Sequence, residues 1–480
     1  MNSAVQQSVR PEAPRSNPPE TPAPSVSTDS PLTRSRDALA HLFGPVETRT
    51  FAVRFWDSGV SDRSARRSPE FTLVLSGPSS LRAMLVPPSQ LRLGEAYVRG
   101  EFEIEGNLEA ATRLGEQMRD RLSSASFASR AMRLLLRLPG PGHRARLEPR
   151  GNARSGQRHS RARDARAIQS HYDVGNEFYA LWLDPAMVYS CGYFPTGAES
   201  LAEAQRAKLD HICRKLRLQR GERLLDIGCG WGGLIMHAAR EYGVRAFGIT
   251  LSPSQAAWAR DHIRAARLED RCAVEVRDYR ALDGLEPFDK VVSVGMCEHV
   301  GHARLPGYFE AAWKALVPGG LFLNHCIVSG QDPLGGRRRS LRKFLWREGR
   351  FTDRHVFPDG QLPVLGPMLE VAEAQGFETR DVESLREHYA KTLRHWVARL
   401  EAAREEAIGL TSPETYRTWR IYMANSARQF AAGRLGLAQA LLARPDARGA
   451  VRLPRTREDL YRDQGLGTRG LGLQPVRPDR

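Results

Sequence analysis

A short apolar strand that runs into closely spaced glycines is the feature that most constrains the fold of this chain. Residues 224–233 read Leu-Leu-Asp-Ile-Gly-Cys-Gly-Trp-Gly-Gly, and a helix-forming stretch, 234–242, follows directly. Glycines permit a tight turn and a close approach of the backbone to a ligand, and the start of a helix offers free N–H groups. The pattern predicts a strand–turn–helix unit of an α/β fold, with a nucleotide-type cofactor over the turn.

The spacing of the glycines leaves two cofactor classes to compare. Gly228, Gly230 and Gly233 satisfy the G-x-G-x-x-G pattern of dinucleotide-binding proteins, which also expects an acidic residue about 20 residues later. The next strand ends instead in Thr250-Leu-Ser, and Asp226 precedes the first glycine closely. An Asp-x-Gly-x-Gly turn resembles the first motif of S-adenosyl-L-methionine (SAM)-dependent methyltransferases. SAM is therefore favoured over a dinucleotide and over a turn that binds no ligand.

Length and composition bound the class of protein. The 480 residues suffice for two or three domains, and a hydrophobic content of 41% is typical of a chain that buries sizeable cores. No apolar run has membrane-spanning length, and the N-terminus lacks a signal-peptide pattern, which indicates the cytoplasm. The six cysteines match no zinc-binding spacing, so we expect reduced thiols and no metal site.

The charge balance predicts an anionic partner. The formal net charge is +16, and only six of the 71 basic residues are lysine. The arginine bias also fits an effect of genome composition, but so large a positive charge favours attraction to phospholipid or to nucleic acid. No helix-turn-helix, zinc-finger or RNA-binding aromatic pattern accompanies it. We therefore expect an anionic lipid surface as the partner and no nucleic acid.

Composition shifts along the chain indicate several units. Strand-like segments at 51–56, 71–75 and 81–85 and a helix at 108–118 predict a small N-terminal α+β unit. A stretch rich in glycine, proline and arginine has linker composition, and its arginines fit either lipid headgroups or a solvated tether. The predicted units are a disordered tail at 1–30, an N-terminal domain at 31–138, this basic linker at 139–166, a larger α/β domain at 167–445 and a C-terminal tail at 446–480.

The larger domain alternates strands with helices. This alternation predicts a doubly wound, Rossmann-like α/β sheet with mainly parallel strands, and the chain after 365 reads as largely helical. The predicted strands are 223–227, 244–250, 272–276, 288–295 and 320–326, and the predicted helices are 199–217, 232–243, 254–267, 304–317, 367–376, 387–408 and 413–443.

An aromatic and polar segment lies ahead of the first strand of this domain, with the sequences SHYDVGNEFY at 170–179 and LDPAMVYSCGYF at 183–194. Such a lid covers a cofactor and excludes water, which a reaction through a reactive cation requires. Further motifs are GITLSxxQ at 248–255, VGMCEHVG at 294–301, FPDGxLP at 357–363 and HYxxTLxxW at 388–396. With these motifs, residues 168–443 resemble the cyclopropane-fatty-acyl-phospholipid synthase family, including the mycolic acid cyclopropane synthases.

The resemblance implies a reaction. In that family the methyl group of SAM adds to a cis double bond of a membrane acyl chain, and the resulting carbocation loses a proton from the new methyl as the ring closes. An alkene is a poor nucleophile, so the site must hold it dry and stabilise transient positive charge. The same cation can lose a different proton or take a hydride, so C-methylation to a methyl- or methylene-branched chain is the alternative. Residues 32–118 resemble, less specifically, the N-terminal lipid-associated domain of the longer synthases.

The resemblance also implies site residues. A bound bicarbonate acts as the proton acceptor, and the residues that match its ligands are Cys191, Glu298, His325 and Tyr389. For SAM, we expect Asp226, Gly228, Gly230 and Gly232 at the methionine part, Thr250 and Gln255 in place of the ribose-binding acid, Asp278 and Tyr279 beside the adenine, and Tyr189 and Ser190 closing over the cofactor. Without the resemblance, His325 and Tyr279 read equally as structural residues and Cys191 as a small buried hydrophobe.

The implied partners are membrane phospholipids with unsaturated acyl chains, at the inner face of the membrane, and the sequence leaves a homodimer open. Basic residues interleaved with Leu, Phe and Trp at 335–347 fit a membrane interface or an exposed loop. A nucleic-acid methyltransferase is disfavoured, because residues 296–299 (Met-Cys-Glu-His) stand where a base-flipping motif is expected. A lipid-binding protein with a vestigial site is disfavoured by the presence of all four anion-site residues.

Overall fold

The computed structural model describes residues 29–57, 61–63, 68–122, 124–142, 157–172, 174–330 and 350–461. Most of the predicted N-terminal tail, half of the basic linker and the whole basic segment at 335–347 lie outside the described residues. Among the described residues, no helix combines the length and the apolar character needed to cross a bilayer. The six cysteines are all buried and unbridged.

The N-terminal unit is built from five helices and four strands. Its helices are α1 (Pro31–Phe43), α2 (Ser80–Leu85), α3 (Gln90–Val98), α4 (Leu108–Arg121) and α5 (Ala125–Leu136), with a 3-10 turn at Val46–Thr48. Its strands are β1 (Ala52–Arg54), β2 (Ser61–Asp62), β3 (Phe71–Leu75) and β4 (Phe102–Gly106), which form one sheet in the order β2-β1-β3-β4. The predicted α+β character of this unit is confirmed.

The predicted strand at 81–85 is wrong, because these residues form α2. Leu81, Met84 and Leu85 are buried at the i, i+3, i+4 spacing of a helix face, and each of the five residues is a good helix former. Pro87 follows shortly and prevents the helix from continuing. A short apolar run is compatible with either structure, so the helix propensity of Ala, Met and Arg was the better guide.

The larger unit contains a seven-stranded sheet and helices on both of its faces. Its strands are β5 (Arg223–Ile227), β6 (Arg245–Thr250), β7 (Cys272–Val276), β8 (Phe288–Val294), β9 (Leu316–Ser329), β10 (Glu378–Ser384) and β11 (Leu435–Ala443). Its helices are α6 (Arg161–Tyr172), α7 (Asn176–Trp182), α8 (Leu201–Lys215), α9 (Gly233–His237) with a π turn at Ala238–Tyr242, α10 (Pro253–Ala265), α11 (Cys297–Val300), α12 (Leu305–Ala315), α13 (Arg350–His355), α14 (Leu365–Ala374), α15 (Arg386–Ala402), α16 (Arg404–Leu410), α17 (Pro413–Ala431) and α18 (Glu458–Tyr461), with 3-10 turns at Tyr279–Ala281 and His302–Arg304.

The strand order β10-β11-β9-β8-β5-β6-β7 confirms the doubly wound fold. Strands β5 to β9 are mutually parallel, and β11 alone runs antiparallel to its two neighbours. The chain leaves β5 toward β6 on one side, whereas β8 lies on the other side. This switch in direction opens a crevice at the carboxyl end of β5, where ligands bind in open α/β sheets.

The predicted helix over 413–443 is wrong at its C-terminal end, and the strand at 378–384 was missed. Residues 435–443, Leu-Gly-Leu-Ala-Gln-Ala-Leu-Leu-Ala, are rich in helix formers, but they form β11 between β9 and β10. Every residue from 437 to 443 is buried, because a strand inside a sheet with covered faces is surrounded on both sides. Such a strand reads as a continuous apolar run, which periodicity alone does not separate from a buried helix.

A buried arginine on α17 joins the two units. The Arg420 guanidinium donates to the Tyr97 hydroxyl at 2.6 Å, to the Ile104 carbonyl at 3.3 Å and to a Glu401 carboxylate oxygen at 2.7 Å. Arg394 on α15 adds a two-bond pair with Glu109 on α4, at 2.7 and 2.8 Å. Helices α15 and α17 therefore hold the N-terminal unit against the larger one through directional contacts.

We expect Arg420→Ala to lower the free energy of unfolding by about 3 kcal/mol, because it leaves buried partners without their donor. Chemical denaturation of the whole chain measures this. Arg264→Ala is the matched control: its ion pair with Asp261 is exposed, and its loss costs about 0.5 kcal/mol or less. Equal effects of the two substitutions would contradict the structural role of Arg420.

Candidate active site

The glycine turn lies directly over the end of β6. The backbone N–H groups of Gly228 and Cys229 both donate to the Ile249 carbonyl at 2.9 Å, and Gly228 takes a φ of 88°, in the left-handed region that favours glycine. Gly233, the first residue of α9, faces the lid, and a Cβ atom there would lie 2.7 Å from the Ala186 carbonyl oxygen. The glycines thus let the lid segment approach the turn closely.

A cavity of about 140 Å³ lies above this turn, at the carboxyl ends of β5, β6 and β8. It is lined by most of the residues that we predicted for SAM: Tyr189, Ser190, Asp226, Gly228, Gly230, Thr250, Gln255 and Tyr279. We call this space the cofactor cavity.

Two predicted cofactor residues lie just behind its wall. Gly232 is directed toward α10, where a Cβ atom would lie 3.2 Å from Ala259, and the neighbouring Gly233 lines the cavity instead. The Asp278 carboxylate binds the Arg280 guanidinium at 2.6 and 2.8 Å, and Arg280 and Tyr279 line the cavity in its place. Asp278 therefore positions Arg280 in this structure rather than facing the cavity itself.

Asp226 is a buried carboxyl group in the wall of the cofactor cavity. Burial raises the pKa of its carboxyl to about 7, and its Oδ1 atom is buried without a hydrogen-bond partner among the described residues. The charge of the nearby Lys208 opposes that rise. A buried carboxylate with an unpartnered oxygen is stabilised by a cationic ligand group, so the end of β5 suits the ammonium of a zwitterion.

The end of β6 presents an amide where dinucleotide-binding proteins carry an acid. Thr250 Oγ1 donates to Gln255 Oε1 at 2.9 Å, and the Ser252 hydroxyl caps α10 by accepting from the Gln255 N–H at 3.3 Å. The first bond orients the Gln255 side chain, and the second holds its backbone at the start of the helix. The neutral amide is able to bind hydroxyl groups without adding charge.

The lid is held by its own carboxylate and by the glycine turn. Asp184 accepts hydrogen bonds from the N–H groups of Ala186 and Val188, at 3.0 and 2.9 Å, and this turn delivers Tyr189 and Ser190 to the cavity. The Trp231 indole of the glycine turn donates to Asn176 on α7 at 2.8 Å. The lid and the turn therefore form one packed unit.

A second cavity of about 280 Å³ adjoins the first, and we call it the reaction cavity. The structure brings all four predicted anion-site residues, Cys191, Glu298, His325 and Tyr389, into its wall. They come from the lid, from α11 after β8, from β9 and from α15. The two cavities share the wall residues Tyr172, Tyr189, Ser190, Gly295 and His299.

Glu298 and His325 each carry a buried polar atom without a partner among the described residues, Oε2 and Nε2 respectively. Glu298 Oε1 accepts from the Ile327 N–H at 2.6 Å, and burial raises the pKa of the carboxyl to about 7. Burial lowers the pKa of His325 well below its usual value, so the ring is neutral. With Gln439 Nε2 donating to Nδ1 over 3.1 Å, the Nε2 atom of His325 carries the proton.

Cys191 and Tyr389 contribute neutral groups to the same cavity. Burial raises the pKa of the Cys191 thiol and of the Tyr389 phenol well above their usual values, so both keep their protons. The Cys191 thiol donates to the Gly192 carbonyl at 3.1 Å. His325 and Tyr389 thus give the cavity two neutral donors beside one carboxyl group, and the Cys191 thiol would add a third on turning from the Gly192 carbonyl; such a set suits a small oxyanion with a proton of its own.

Aromatic rings form much of the remaining wall of the reaction cavity, namely those of Tyr172, Tyr189, Phe357, Tyr422 and Phe430. The ring of Tyr172 packs against Trp231 at 5.5 Å, and that of Tyr189 lies 5.2 Å from Trp396 behind the wall. Ring faces stabilise positive charge through their quadrupole and exclude water from the space between them. The arrangement therefore suits a reaction that passes through a cation.

Three residues around these cavities were missed as site residues. Lys208 is buried on α8, its Nζ donates to Ser190 Oγ at 2.9 Å, and burial lowers its pKa to about 8. Tyr172 and His299 line both cavities, and burial lowers the pKa of His299 to about 4. The available signal for Lys208 was a rare lysine at a core position of an amphipathic helix.

Comparison with known proteins matches both units. The sequence profile of the mycolic acid cyclopropane synthetase family matches residues 159–440, and that of a domain of unknown function (DUF7884) matches residues 38–121. The family resemblance noted from the sequence motifs is thereby confirmed.

Individual relatives extend this result. A probable fatty acid methyltransferase of Pseudomonas putida is 42% identical over 414 residues, which cover 85% of this chain and 96% of that protein. A probable fatty acid methyltransferase of Mycobacterium tuberculosis is 38% identical over 80% of this chain and 89% of that protein. The structure of mycolic acid cyclopropane synthase CmaA1 complexed with SAH and CTAB is similar with a TM-score of 0.55 and 37% identity, over 58% of this chain and 98% of that chain. The chain therefore belongs to the mycolic acid cyclopropane synthase family and is a SAM-dependent methyltransferase.

Proposed function

We propose that this protein transfers the methyl group of SAM to the double bond of an unsaturated phospholipid acyl chain and that loss of a proton from the new methyl closes a cyclopropane ring. One observation carries the proposal: the cofactor cavity and the aromatic reaction cavity adjoin at Tyr172, Tyr189 and Ser190. A ligand of the first cavity and a ligand of the second would therefore meet at this wall.

The cofactor cavity fits SAM on the evidence of its unpartnered carboxylate. Asp226 would bind the ammonium group of the methionine part, Thr250 and Gln255 the ribose hydroxyls, and Tyr279 the adenine, with Gly232 and Asp278 supporting from behind. SAM supplies an electrophilic methyl group at a sulfonium centre. The related CmaA1 structure was obtained with SAH, which supports a cofactor of this class.

The reaction cavity fits an acyl chain and a small anion. Its aromatic walls bury methylene groups and stabilise a developing cation. In its wall Cys191, His325 and Tyr389 would donate to bicarbonate, and Glu298 Oε2 would accept the proton of that anion. Bicarbonate supplies a proton acceptor that is a weak nucleophile. Lys208 positions Ser190 at the shared wall.

A second product is favoured by a separate observation. The relatives from Pseudomonas putida and Mycobacterium tuberculosis, which match four-fifths of this chain or more, are named as probable fatty acid methyltransferases, whereas CmaA1 matches 58% of it. In C-methylation the same cation loses a proton from the chain, which leaves a branched and still unsaturated acyl chain, or takes a hydride from an external reductant, which leaves a saturated branched chain. Both products require the same two cavities.

We further propose that residues 31–138 and 167–445 are separate domains joined by the basic linker and that the protein works at the inner face of an anionic membrane. The two matched families, at 38–121 and 159–440, support the division into domains. The net charge of +16 supports attraction to anionic headgroups, an attraction that salt would weaken.

The product test decides between the two reactions. After incubation of the protein with SAM and vesicles of monounsaturated phospholipid, we expect lipid mass spectrometry to show the gain of one CH2 unit. A product that resists mild hydrogenation of double bonds is the cyclopropane, and a product that takes up hydrogen is a methylene-branched chain. Bound SAM without any gain in mass would contradict the proposed function.

Glu298→Gln tests the proton acceptor site. The amide keeps an oxygen for the Ile327 N–H but offers no ionised group, so we expect turnover to fall about a hundredfold or more, with SAM affinity unchanged. Because burial raises the pKa of Glu298 to about 7, wild-type turnover should rise with pH through this value. Glu373→Gln, at an exposed position of α14, is the control. A variant with undiminished turnover would exclude Glu298 from the reaction.

Asp226→Asn tests the cofactor site. We expect SAM affinity to fall about a hundredfold, since a buried charge pair is lost. Wild-type affinity should decrease as the pH falls below about 7, where the carboxyl becomes protonated, whereas the affinity of the variant should be independent of pH.

Because the pKa of Asp226 is higher in the folded protein than in the unfolded chain, its ionisation destabilises the fold progressively as the pH rises to about 7. Without SAM at pH 8, the Asn variant should therefore unfold at a higher temperature than the wild type. Isothermal titration and thermal unfolding measure both effects, with Asp283→Asn, at an exposed loop position, as the control.

A further inference from the structure

A third cavity lies inside the N-terminal unit, on the side that packs against the larger unit. It measures about 140 Å³, and we call it the N-terminal cavity. Its walls are mainly apolar and come from the sheet and helices of that unit and from Phe351 and Ile421 of the larger unit; they include Leu73, Met84, Leu93, Phe102, Ile104 and Met118. Neither the proposed reaction nor the matched domain of unknown function accounts for this space.

The N-terminal cavity and the reaction cavity meet at a polar collar, which we define as Gln90, Thr352, Tyr422, Asn425 and Gln429, the residues that line both. Three of them, at positions 422, 425 and 429, lie along one face of α17. All five are partly exposed, whereas Phe102 and Ile104 in one cavity and His325 and Tyr389 in the other are buried. The two cavities therefore meet at a polar collar that is less buried than these walls on either side of it.

The collar carries hydrogen-bonding groups that are poorly satisfied within the protein. Gln429 Nε2 lies at the limiting distance of 3.4 Å from Asn425 Oδ1. The Gln90 amide oxygen is buried without a partner among the described residues, and a half-turn of that amide would place its NH2 donor there. Amide donors of this kind bind ester carbonyl oxygens, and a bare hydrocarbon chain offers them nothing.

Two arginines lie beside the collar. Glu116, in the wall of the N-terminal cavity, pairs with Arg428 at 2.7 Å and with Arg434, which lines the reaction cavity. The two guanidinium groups share this carboxylate, and Asp353, next to Thr352, is a second acid in the wall of the reaction cavity. Arginine is well suited to bind a phosphodiester.

We propose that the polar collar binds the glycerol ester region of a diacyl glycerophospholipid, with the reacting acyl chain in the reaction cavity and the second acyl chain in the N-terminal cavity. This proposal rests on the proposed function, because it takes an acyl chain as the occupant of the reaction cavity. It gives the N-terminal unit a binding role: it recognises the chain that does not react. The arginine donors beside the collar, its amide groups and the common boundary of the two cavities support this occupant.

Gly115→Leu tests the proposal. Gly115 lies on α4 in the wall of the N-terminal cavity, and a Cβ atom there has its nearest neighbour, Leu93, at 3.8 Å, so a leucine side chain would fill the space without a clash at Cβ. We expect the KM for a diacyl phospholipid with one monounsaturated chain, in mixed micelles, to rise about tenfold. The KM for a monounsaturated lysophospholipid should stay unchanged, because it has no second chain.

The matched control is Gly409→Leu, at an exposed helical glycine of α16 with nothing within 4 Å of the added Cβ atom. SAM affinity and thermal unfolding report whether each variant is folded. Equal losses on both lipids would overturn the proposal, because the N-terminal cavity would then serve the reacting chain. No loss on either lipid would overturn it as well.

A binding experiment separates this proposal from the proposed function. A phospholipid with one monounsaturated chain and one saturated chain that ends in a diazirine is crosslinked to the wild-type protein and to Gly115→Leu. We expect adducts within residues 71–118 of the wild type and their loss in the variant. Crosslinking there without methyl transfer would contradict only the proposed function. Methyl transfer with adducts confined to residues 386–437 would contradict only the placement of the second chain.

Discussion

Two carboxyl groups held out of water at the carboxyl edge of the sheet set the conditions for the rest of the site. Asp226 and Glu298 each present one buried oxygen without a partner in the described part of the chain, and burial raises the pKa of each to about 7. The protein supplies only part of the compensation, through the charge of Lys208 in one case and the Ile327 N–H in the other. Folding of the ligand-free protein therefore includes the free-energy cost of burying these two carboxyl groups. Ligands of suitable charge remove this cost, so the stability of the fold depends on whether the cavities are occupied.

The topology explains why these groups meet. Asp226 ends β5, Glu298 follows β8 and His325 lies on β9, and these three strands are adjacent and parallel, so their carboxyl ends share one edge. The lid then covers that edge, because Gly233 allows Ala186 to lie against the glycine turn. Helix α17 extends the arrangement, since one of its faces lines both the reaction cavity and the N-terminal cavity.

The sequence predicted the parallel strands of the larger unit well and the antiparallel end of its sheet poorly. It also predicted most, but not all, of the residues that line the two cavities. Strands β5 to β8 were placed within a residue or two, because turn residues bound each apolar run. Strand β11 was read as helix, since leucine and alanine in a fully buried strand show no alternation. Local patterns also did not reveal Lys208, or that Gly233 rather than Gly232 lines the cavity, because both depend on how α8 and α10 pack.

The polar collar bears on which product forms. The neutral donors and Glu298 all line the reaction cavity, so they define where a proton would be accepted. A carbocation has acidic C–H bonds both on the new methyl and on the neighbouring chain carbons, and the bond nearest the acceptor is the one that breaks. A shift of the acyl chain by one carbon along the cavity would bring a different one of these C–H bonds next to the acceptor. If the collar holds the ester group, it sets this depth, so groups distant from the reacting carbon would choose between ring closure and branching.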